Sequence, residues 1–199
     1  MAREKAISQF LQASEVAVEM DLAFGNSGLL IGCALLLETL SPEGAADRVL
    51  ALGRCLATRV ERSLGDDERG EPPMLGVAHG TAGKVLALLR WSEVARAGPP
   101  KVLEDIVLDL AQAGQPTGRG MYWPHQTGRE IAHSAVPASW CNGAAGFVHL
   151  WTSVYRWSGE QLHAELAHQA AWERRRRSGC AGGPLLWVRR ASLRTPRPV

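Results

Sequence analysis

Three segments of the sequence share one pattern: Asp21-Leu-Ala-Phe-Gly25-Asn-Ser-Gly28, Gly76-Val-Ala-His79-Gly80-Thr-Ala-Gly83 and Ser139-Trp140-Cys141-Asn-Gly143-Ala-Ala-Gly146. Each has a small or polar lead-in, then Gly-x-x-Gly, then an apolar run. Their first glycines lie 55 and 63 positions apart. A repeat of this length indicates stacked supersecondary units, each long enough for two helices and their loops.

The glycine pair in each segment predicts a helix start that admits close packing. Glycines three residues apart lie on the same helical face, so that another stretch of backbone can approach there. The first turn of a helix also presents unpaired N–H groups and the positive end of the helix dipole. The pattern therefore allows three helix starts to converge on one site.

The stretches between these segments predict two classes of helix. Residues 29–37 are apolar nearly all round, which is typical of an inner helix. Residues 45–62 and 101–113 carry one apolar and one polar face, which is typical of outer helices. Loops are expected at 41–44, 69–73 and 114–120 because these stretches are rich in glycine and proline. Few segments alternate with period two, so the predicted class is all-α.

Composition places the chain among globular proteins. Of its 199 residues, 46% are hydrophobic and 21% charged, and no apolar run reaches the roughly 18 residues of a membrane span. The N-terminus lacks the basic and then apolar order of a signal peptide, which favours a cytoplasmic location. The four cysteines form no CxxC pair, so they are expected to be free thiols or metal ligands rather than disulfides.

Charge divides the chain into a body and a tail. Residues 174–199 contain eight arginines and no acid, whereas residues 1–173 contain 14 basic and 20 acidic residues. The tail has a single tryptophan and no clear period, so nucleic-acid binding is not expected. We predict a domain over 1–173, followed by an Arg-rich tail that is disordered or is the product of an out-of-frame translation.

The histidine and cysteine segments resemble a known family. Gly-Val-Ala-His79-Gly-Thr-Ala-Gly and Ser-Trp-Cys141-Asn-Gly-Ala-Ala-Gly are similar to two signature motifs of the lanthionine synthetase C-like family. Asp21, four residues before its glycine, and Trp123-Pro124, ahead of the cysteine motif, are similar to further family features. The resemblance runs from Asp21 to Trp172. It implies an α/α toroid of inner and outer helices, incomplete in this sequence, with about three to four helix-pair repeats.

The resemblance also implies a chemistry. Members of the family are cyclases in which zinc binds the thiol of a peptide cysteine and favours its thiolate, the nucleophilic form. The thiolate adds to a dehydroalanine or dehydrobutyrine of the same dehydrated precursor peptide, and a dehydratase or kinase–lyase is the implied partner enzyme. By resemblance, Cys141 is a zinc ligand, His79 the general acid or base, and Asp21 its supporting carboxylate.

The sequence departs from the family at the expected zinc site. The family completes that site with a Cys-His or Cys-Cys pair, and this chain contains neither dipeptide. Cys180, followed by Gly182 and Gly183, is a weak counterpart. Zinc sites normally have at least three protein ligands, so we expect the zinc site to be incomplete in this chain.

Each of these residues also has a structural interpretation. Cys141 can be a small buried hydrophobe, and His79 or Asp21 can serve only to cap or hydrogen-bond at a helix start. Three further histidines are spare candidates for the site, and the last is expected to lie in the core or a groove: His125, His133 and His149.

Two other functions stay open. One is a degenerate, non-catalytic family member that binds a peptide or a partner enzyme. The other is a glycosidase-like α/α-barrel enzyme that uses paired carboxylates, for which Asp21 and Glu130 are the candidate acids. The edge helices of an incomplete toroid would expose apolar faces, which favours a partner, self-association or poor solubility.

Overall fold

The computed structural model describes residues 2–14, 17–40, 44–64, 73–126 and 139–178. The helices of this part are α1 (Ala2–Ser14), α2 (Asn26–Thr39), α3 (Ala45–Arg62), α4 (Thr81–Ala95), α5 (Val102–Gln112), α6 (Ala144–Ser158) and α7 (Gln161–Ser178). Two three-residue strands, β1 (Gln115–Thr117) and β2 (Gly120–Tyr122), pair antiparallel. The predicted all-α class is confirmed.

Helices α2, α4 and α6 form the inner layer of a partial α/α toroid. They begin directly after Gly25, Gly80 and Gly143, and α4 packs against both α2 and α6. Helix α3 packs on α2 and α4, and α7 packs on α6. The described chain thus contains three helix pairs and α1, within the predicted number of repeats.

The predicted outer helix over 45–62 coincides with α3. Its apolar face is buried, whereas its charged residues face solvent. Gly53 lies on the buried face, where a Cβ atom would collide with the ring of Trp91 from α4. The missing side chain therefore lets the indole pack directly on the α3 backbone, which brings the two layers close together.

Stacked aromatic rings form the centre of the core. Trp123 stacks on Phe147 with 4.4 Å between ring centroids, and its centroid lies 5.7 Å from that of Trp151. The indole N–H of Trp123 donates to the carbonyl of Leu110 at 2.7 Å, which satisfies a polar group in an apolar interior. The Trp-Pro segment noted in the sequence thus anchors α5 to α6.

The expected loop over 114–120 is in part a β-hairpin, and this prediction was wrong. Strands β1 and β2 pair through three residues each and turn at Gly118, whose φ of 61° lies in the left-handed region that favours glycine. Three residues are too few to show alternation in the sequence. The hairpin is instead buried by packing on α7. A Cβ atom at Gly120 would meet the backbone of Glu173, which shows how closely the two elements approach.

Ion pairs join the three inner helices near their C-terminal ends. Glu38, Glu93 and Arg156 each lie thirteen residues after the helix-start glycine of their own repeat. Arg90 contacts Glu38 at 2.5 Å and Glu93 at 3.0 Å, and Arg156 contacts the other oxygen of Glu93 at 3.0 Å. Such exposed pairs are worth about 0–1 kcal/mol each, so their main role is to favour this register between helices.

A buried histidine links α7 to α6. The imidazole of His163 is hydrogen-bonded to the Ser158 hydroxyl at 2.7 Å and stacks on Trp151, with 5.9 Å between ring centroids. Burial lowers the pKa of His163 below its usual 6.5, while the nearby carboxylate of Glu160 opposes this shift. The folded chain therefore favours the neutral imidazole.

This lowered pKa predicts a loss of stability in weak acid. The unfolded chain binds a proton at His163 as the pH falls through 6.5, whereas the folded chain does so only at lower pH. The contribution of His163 to the free energy of unfolding is therefore fully present above pH 6.5 and declines below it. Urea denaturation should show that the free energy of unfolding falls less between pH 7.5 and pH 5.5 in His163→Gln than in wild type. His168→Gln, an exposed position on the same helix, is the matched control, and an unchanged loss in His163→Gln would contradict the assignment.

The predicted domain boundary after residue 173 falls within α7, and the boundary stays a prediction. Helix α7 continues past Glu173 to Ser178, and the rest of the predicted tail lies outside the described residues.

Within the described ranges, none of the helices has both the length and the apolar composition required to cross a bilayer. Leu35, Leu108 and Leu162 are exposed apolar side chains, but self-association stays a prediction.

Candidate active site

Backbone hydrogen bonds join the lead-in loops of the three inner helices. The amides of Leu22 and Ala23 both donate to the carbonyl of Ala78 at 3.0 Å, and the amide of Ala78 donates to the carbonyl of Cys141 at 2.9 Å. We call the joined segments 19–25, 74–80 and 139–143 the loop strip. The strip holds Asp21, His79 and Cys141 on neighbouring loops, as the predicted convergence requires.

The second glycine of each motif makes this packing possible. A Cβ atom at Gly28, Gly83 or Gly146 would collide with the carbonyl oxygen of the residue six positions earlier. The backbone that approaches is therefore the helix's own lead-in loop. Gly83 and Gly146 also receive the side chains of the preceding repeat, Leu22 and Val77 respectively, at 3.0 and 2.9 Å from the position a Cβ atom would take.

Asp21 and His79 form the polar centre of the strip. Oδ2 of Asp21 lies 2.8 Å from Nδ1 of His79, and Oδ1 accepts the backbone N–H of Phe24 at 2.8 Å. An ionised carboxylate only accepts hydrogen bonds, so Nδ1 is the donor and Nε2 is the nitrogen that can exchange a proton with a substrate. The side chains are 16% and 31% exposed, respectively, so the pair is sheltered but reachable.

The helix-capping interpretation of these two residues is not supported. The N-cap positions of α2 and α4 are Gly25 and Gly80, and neither helix start has a side-chain cap. Asp21 instead closes a turn within its loop and contacts a histidine 58 residues away in sequence. Both side chains are thus directed at each other rather than at the helix ends.

Phe24 is a member of the site that the sequence did not single out. Its ring stacks on the imidazole of His79, with 5.6 Å between centroids and 25° between planes. It is also 80% exposed, which is unusual for phenylalanine. The signal was available in the repeat, because Phe24, His79 and Asn142 all occupy the position before the first glycine.

The cysteines divide into buried and exposed thiols. Cys141 is exposed and follows the 44% exposed Trp140, so the interpretation of Cys141 as a small buried hydrophobe was wrong. Cys33 fills that role instead, because its side chain is buried. Burial raises the pKa of its thiol to about 12. Along the described part of the chain, Cys33, Cys55 and Cys141 are free thiols.

The described residues do not by themselves make a zinc site. In the ranges that the structure describes, no group of three or more His, Cys, Asp or Glu side chains is placed to hold a metal ion. Cys141 offers one thiolate, and a protein zinc site normally takes three or more ligands. Cys180 lies outside the described residues, so the zinc-ligand role of Cys141 stays a prediction.

The two spare histidines that the structure describes, His125 and His149, do not join the pair. His125 lies next to the α4 lead-in, where its carbonyl accepts the amide of Leu75 at 2.9 Å. His149 is exposed on α6, which excludes the core, and its location in a groove stays a prediction. His133 and Glu130 lie outside the described residues.

Comparison with known families gives a match over most of the chain. The family model for lanthionine synthetase C-like protein matches residues 2–179. The chain belongs to the lanthionine synthetase C-like family. The match extends beyond both ends of the resemblance seen in the sequence, and it supports a lanthionine-synthetase-like function at the level of the family. Comparison with curated proteins finds no match.

A cavity of about 340 Å³ adjoins the loop strip on the α2 side. It is lined by Ala17, residues 22–25, Gly28 and Leu29. Phe24 thus belongs both to the cavity wall and to the surroundings of the His79 imidazole. The Asp21–His79 pair therefore lies on an open surface with an adjacent recess.

Proposed function

We propose that this chain is a cyclase that forms thioether rings in a dehydrated precursor peptide. The reaction joins a peptide cysteine to the β-carbon of a dehydroalanine or dehydrobutyrine. The observation that carries the proposal is the 2.8 Å contact between Asp21 and His79 on the loop strip of a lanthionine synthetase C-like protein.

The pair can supply the proton transfers that this addition needs. Neutral His79 takes the thiol proton at Nε2, and the thiolate sulfur forms a bond to the β-carbon. The electrons of the double bond move onto the adjoining carbonyl as an enolate, and the α-carbon then receives a proton from the imidazolium. Nothing is oxidised or reduced, and the imidazole is regenerated. Asp21 holds the ring in one tautomer and stabilises its protonated form.

No step is assigned to a metal, because the described residues do not form a complete ligand set. In the family, zinc would lower the pKa of the peptide thiol. We propose Cys141 as the residue that would ligate it, since its thiol is exposed on the same strip as His79. The reaction should therefore be measured both with and without added zinc.

The surface around the pair suits an extended peptide. Phe24 and Trp140 are exposed aromatic side chains on the first and third loops of the strip, on either side of the loop that carries His79. Exposed aromatic side chains of this kind are typical of binding surfaces. The cavity beside Phe24 offers a recess for a side chain of the bound peptide.

A count of free thiols tests the proposed activity. Ring closure is an isomerisation and leaves the peptide mass unchanged, so a thiol-alkylating reagent must report it. With a synthetic peptide that contains one dehydroalanine and one cysteine, we expect the protein to remove the alkylatable thiol faster than buffer alone. Equal rates with and without protein, in both zinc conditions, would refute the cyclase.

The second candidate is a non-catalytic peptide-binding protein. It is favoured by the lack of a three-ligand group in the described residues together with the exposed Phe24 and Trp140. Titration of the same peptide, followed by tryptophan fluorescence, would show saturable binding without loss of thiol. The paired-carboxylate enzyme is not carried forward, since Asp21 contacts a histidine and the family is different.

A further inference from the structure

We propose that Phe24 is a positioning residue that holds the His79 imidazole in the orientation required for proton transfer. The inference rests on the proposed cyclase function, in which His79 is the acid–base group. Phe24 does not contact the reacting atoms in this proposal, and its effect on the chemical step is exerted through His79.

Two separate contacts connect Phe24 to the pair. Its backbone N–H donates to Oδ1 of Asp21 at 2.8 Å, which leaves Oδ2 free to bind His79. Its ring stacks on the imidazole with 5.6 Å between centroids. Main chain and side chain of one residue thus restrain both members of the pair.

Exposure separates this role from a role in stability. A phenylalanine that is 80% exposed buries little apolar surface, so the fold gains little from its ring. The imidazole can rotate about two side-chain bonds, and one hydrogen bond from Nδ1 fixes only one edge of the ring. A stacked neighbour restricts the rotation of the imidazole about the axis of this hydrogen bond. This accounts for an aromatic side chain at the exposed position 24.

Variants at position 24 distinguish stacking from general apolar contact. We expect Phe24→Ala and Phe24→Leu to lower kcat for ring closure by roughly three- to tenfold, the range typical of an aromatic pair. A change in KM would report the separate contribution of the exposed ring to peptide binding. Phe24→Tyr keeps an aromatic ring at this position and should therefore keep the wild-type kcat. All three variants keep the backbone N–H, so the hydrogen bond to Asp21 is retained, and thermal unfolding should change little.

A second measurement does not depend on cyclase activity. Carbon-13 relaxation of the labelled His79 ring should show a lower order parameter in Phe24→Ala than in wild type, with recovery in Phe24→Tyr. An unchanged order parameter in Phe24→Ala would overturn the proposal. A rise in KM at constant kcat would also overturn it, because the ring would then act in peptide binding alone. If the wild type closes no rings, the cyclase fails alone and the relaxation data still decide the role of Phe24.

Discussion

Replacement of His79 by asparagine is expected to slow thioether formation by about 10²–10⁴-fold, the usual contribution of a general acid or base. The asparagine amide can still donate to Asp21, so the loop contact is kept while the proton-exchanging Nε2 is lost. Asp21→Asn should slow the reaction as well, because an amide in place of the carboxylate no longer fixes the imidazole tautomer or stabilises the imidazolium. Single-turnover thiol alkylation with the synthetic peptide measures both rates.

The control for this prediction is His149→Asn, since His149 is exposed on α6 and contributes nothing to the pair. It should leave the rate unchanged, and peptide binding should persist in all three variants. A wild-type rate in His79→Asn would remove the acid–base role. Loss of peptide binding in that variant would instead indicate that His79 holds the substrate.

Alanine at Gly83 or Gly146 is expected to destabilise the fold by about 3 kcal/mol, the cost of forcing a methyl group into closely packed atoms. The new Cβ atom would collide with the carbonyl oxygen of Val77 or Trp140, respectively. A carbonyl in the main chain cannot rotate away as the end of a side chain can, so the lead-in loop itself must move. The loop strip would be displaced with it, and the Asp21–His79 contact should weaken.

The sign of this effect separates packing from helix propensity. Alanine in a helix is more favourable than glycine by about 1 kcal/mol, so propensity alone predicts that Gly83→Ala stabilises the protein. Gly98→Ala is the control, because no atom lies within 4 Å of the position its Cβ would take. Urea denaturation should show loss of stability in Gly83→Ala and little change in Gly98→Ala. A gain in Gly83→Ala would show that the glycine pattern is not needed for packing.

Much of the helical layout could be predicted because it depends on local periodicity. The amphipathic stretch 45–62 became α3, and each of the three inner helices starts directly after its first glycine. The hairpin over 115–122 could not be predicted in this way, since its strands are three residues long and are held by contacts with α7. Short elements that depend on distant partners leave no periodic signal.

The candidate site was predictable only in part. The family motif indicated Asp21, His79 and Cys141, but sequence spacing cannot show that two side chains 58 residues apart meet at 2.8 Å. Phe24 was missed because an isolated phenylalanine before a glycine resembles any apolar residue near a helix start. The structure adds two observations that the sequence does not contain, namely that Phe24 is exposed and that its ring stacks on His79.

The proposed function depends on the orientation of one imidazole, which nitrogen-15 NMR of His79 measures directly. With Asp21 accepting at 2.8 Å from Nδ1, the neutral ring should carry its proton on Nδ1 and leave Nε2 unprotonated. Asp21→Asn should shift the ring toward the tautomer common in free histidine, with the proton on Nε2. A wild-type His79 protonated mainly on Nε2 when neutral would contradict the Asp21–His79 pair and the mechanism derived from it.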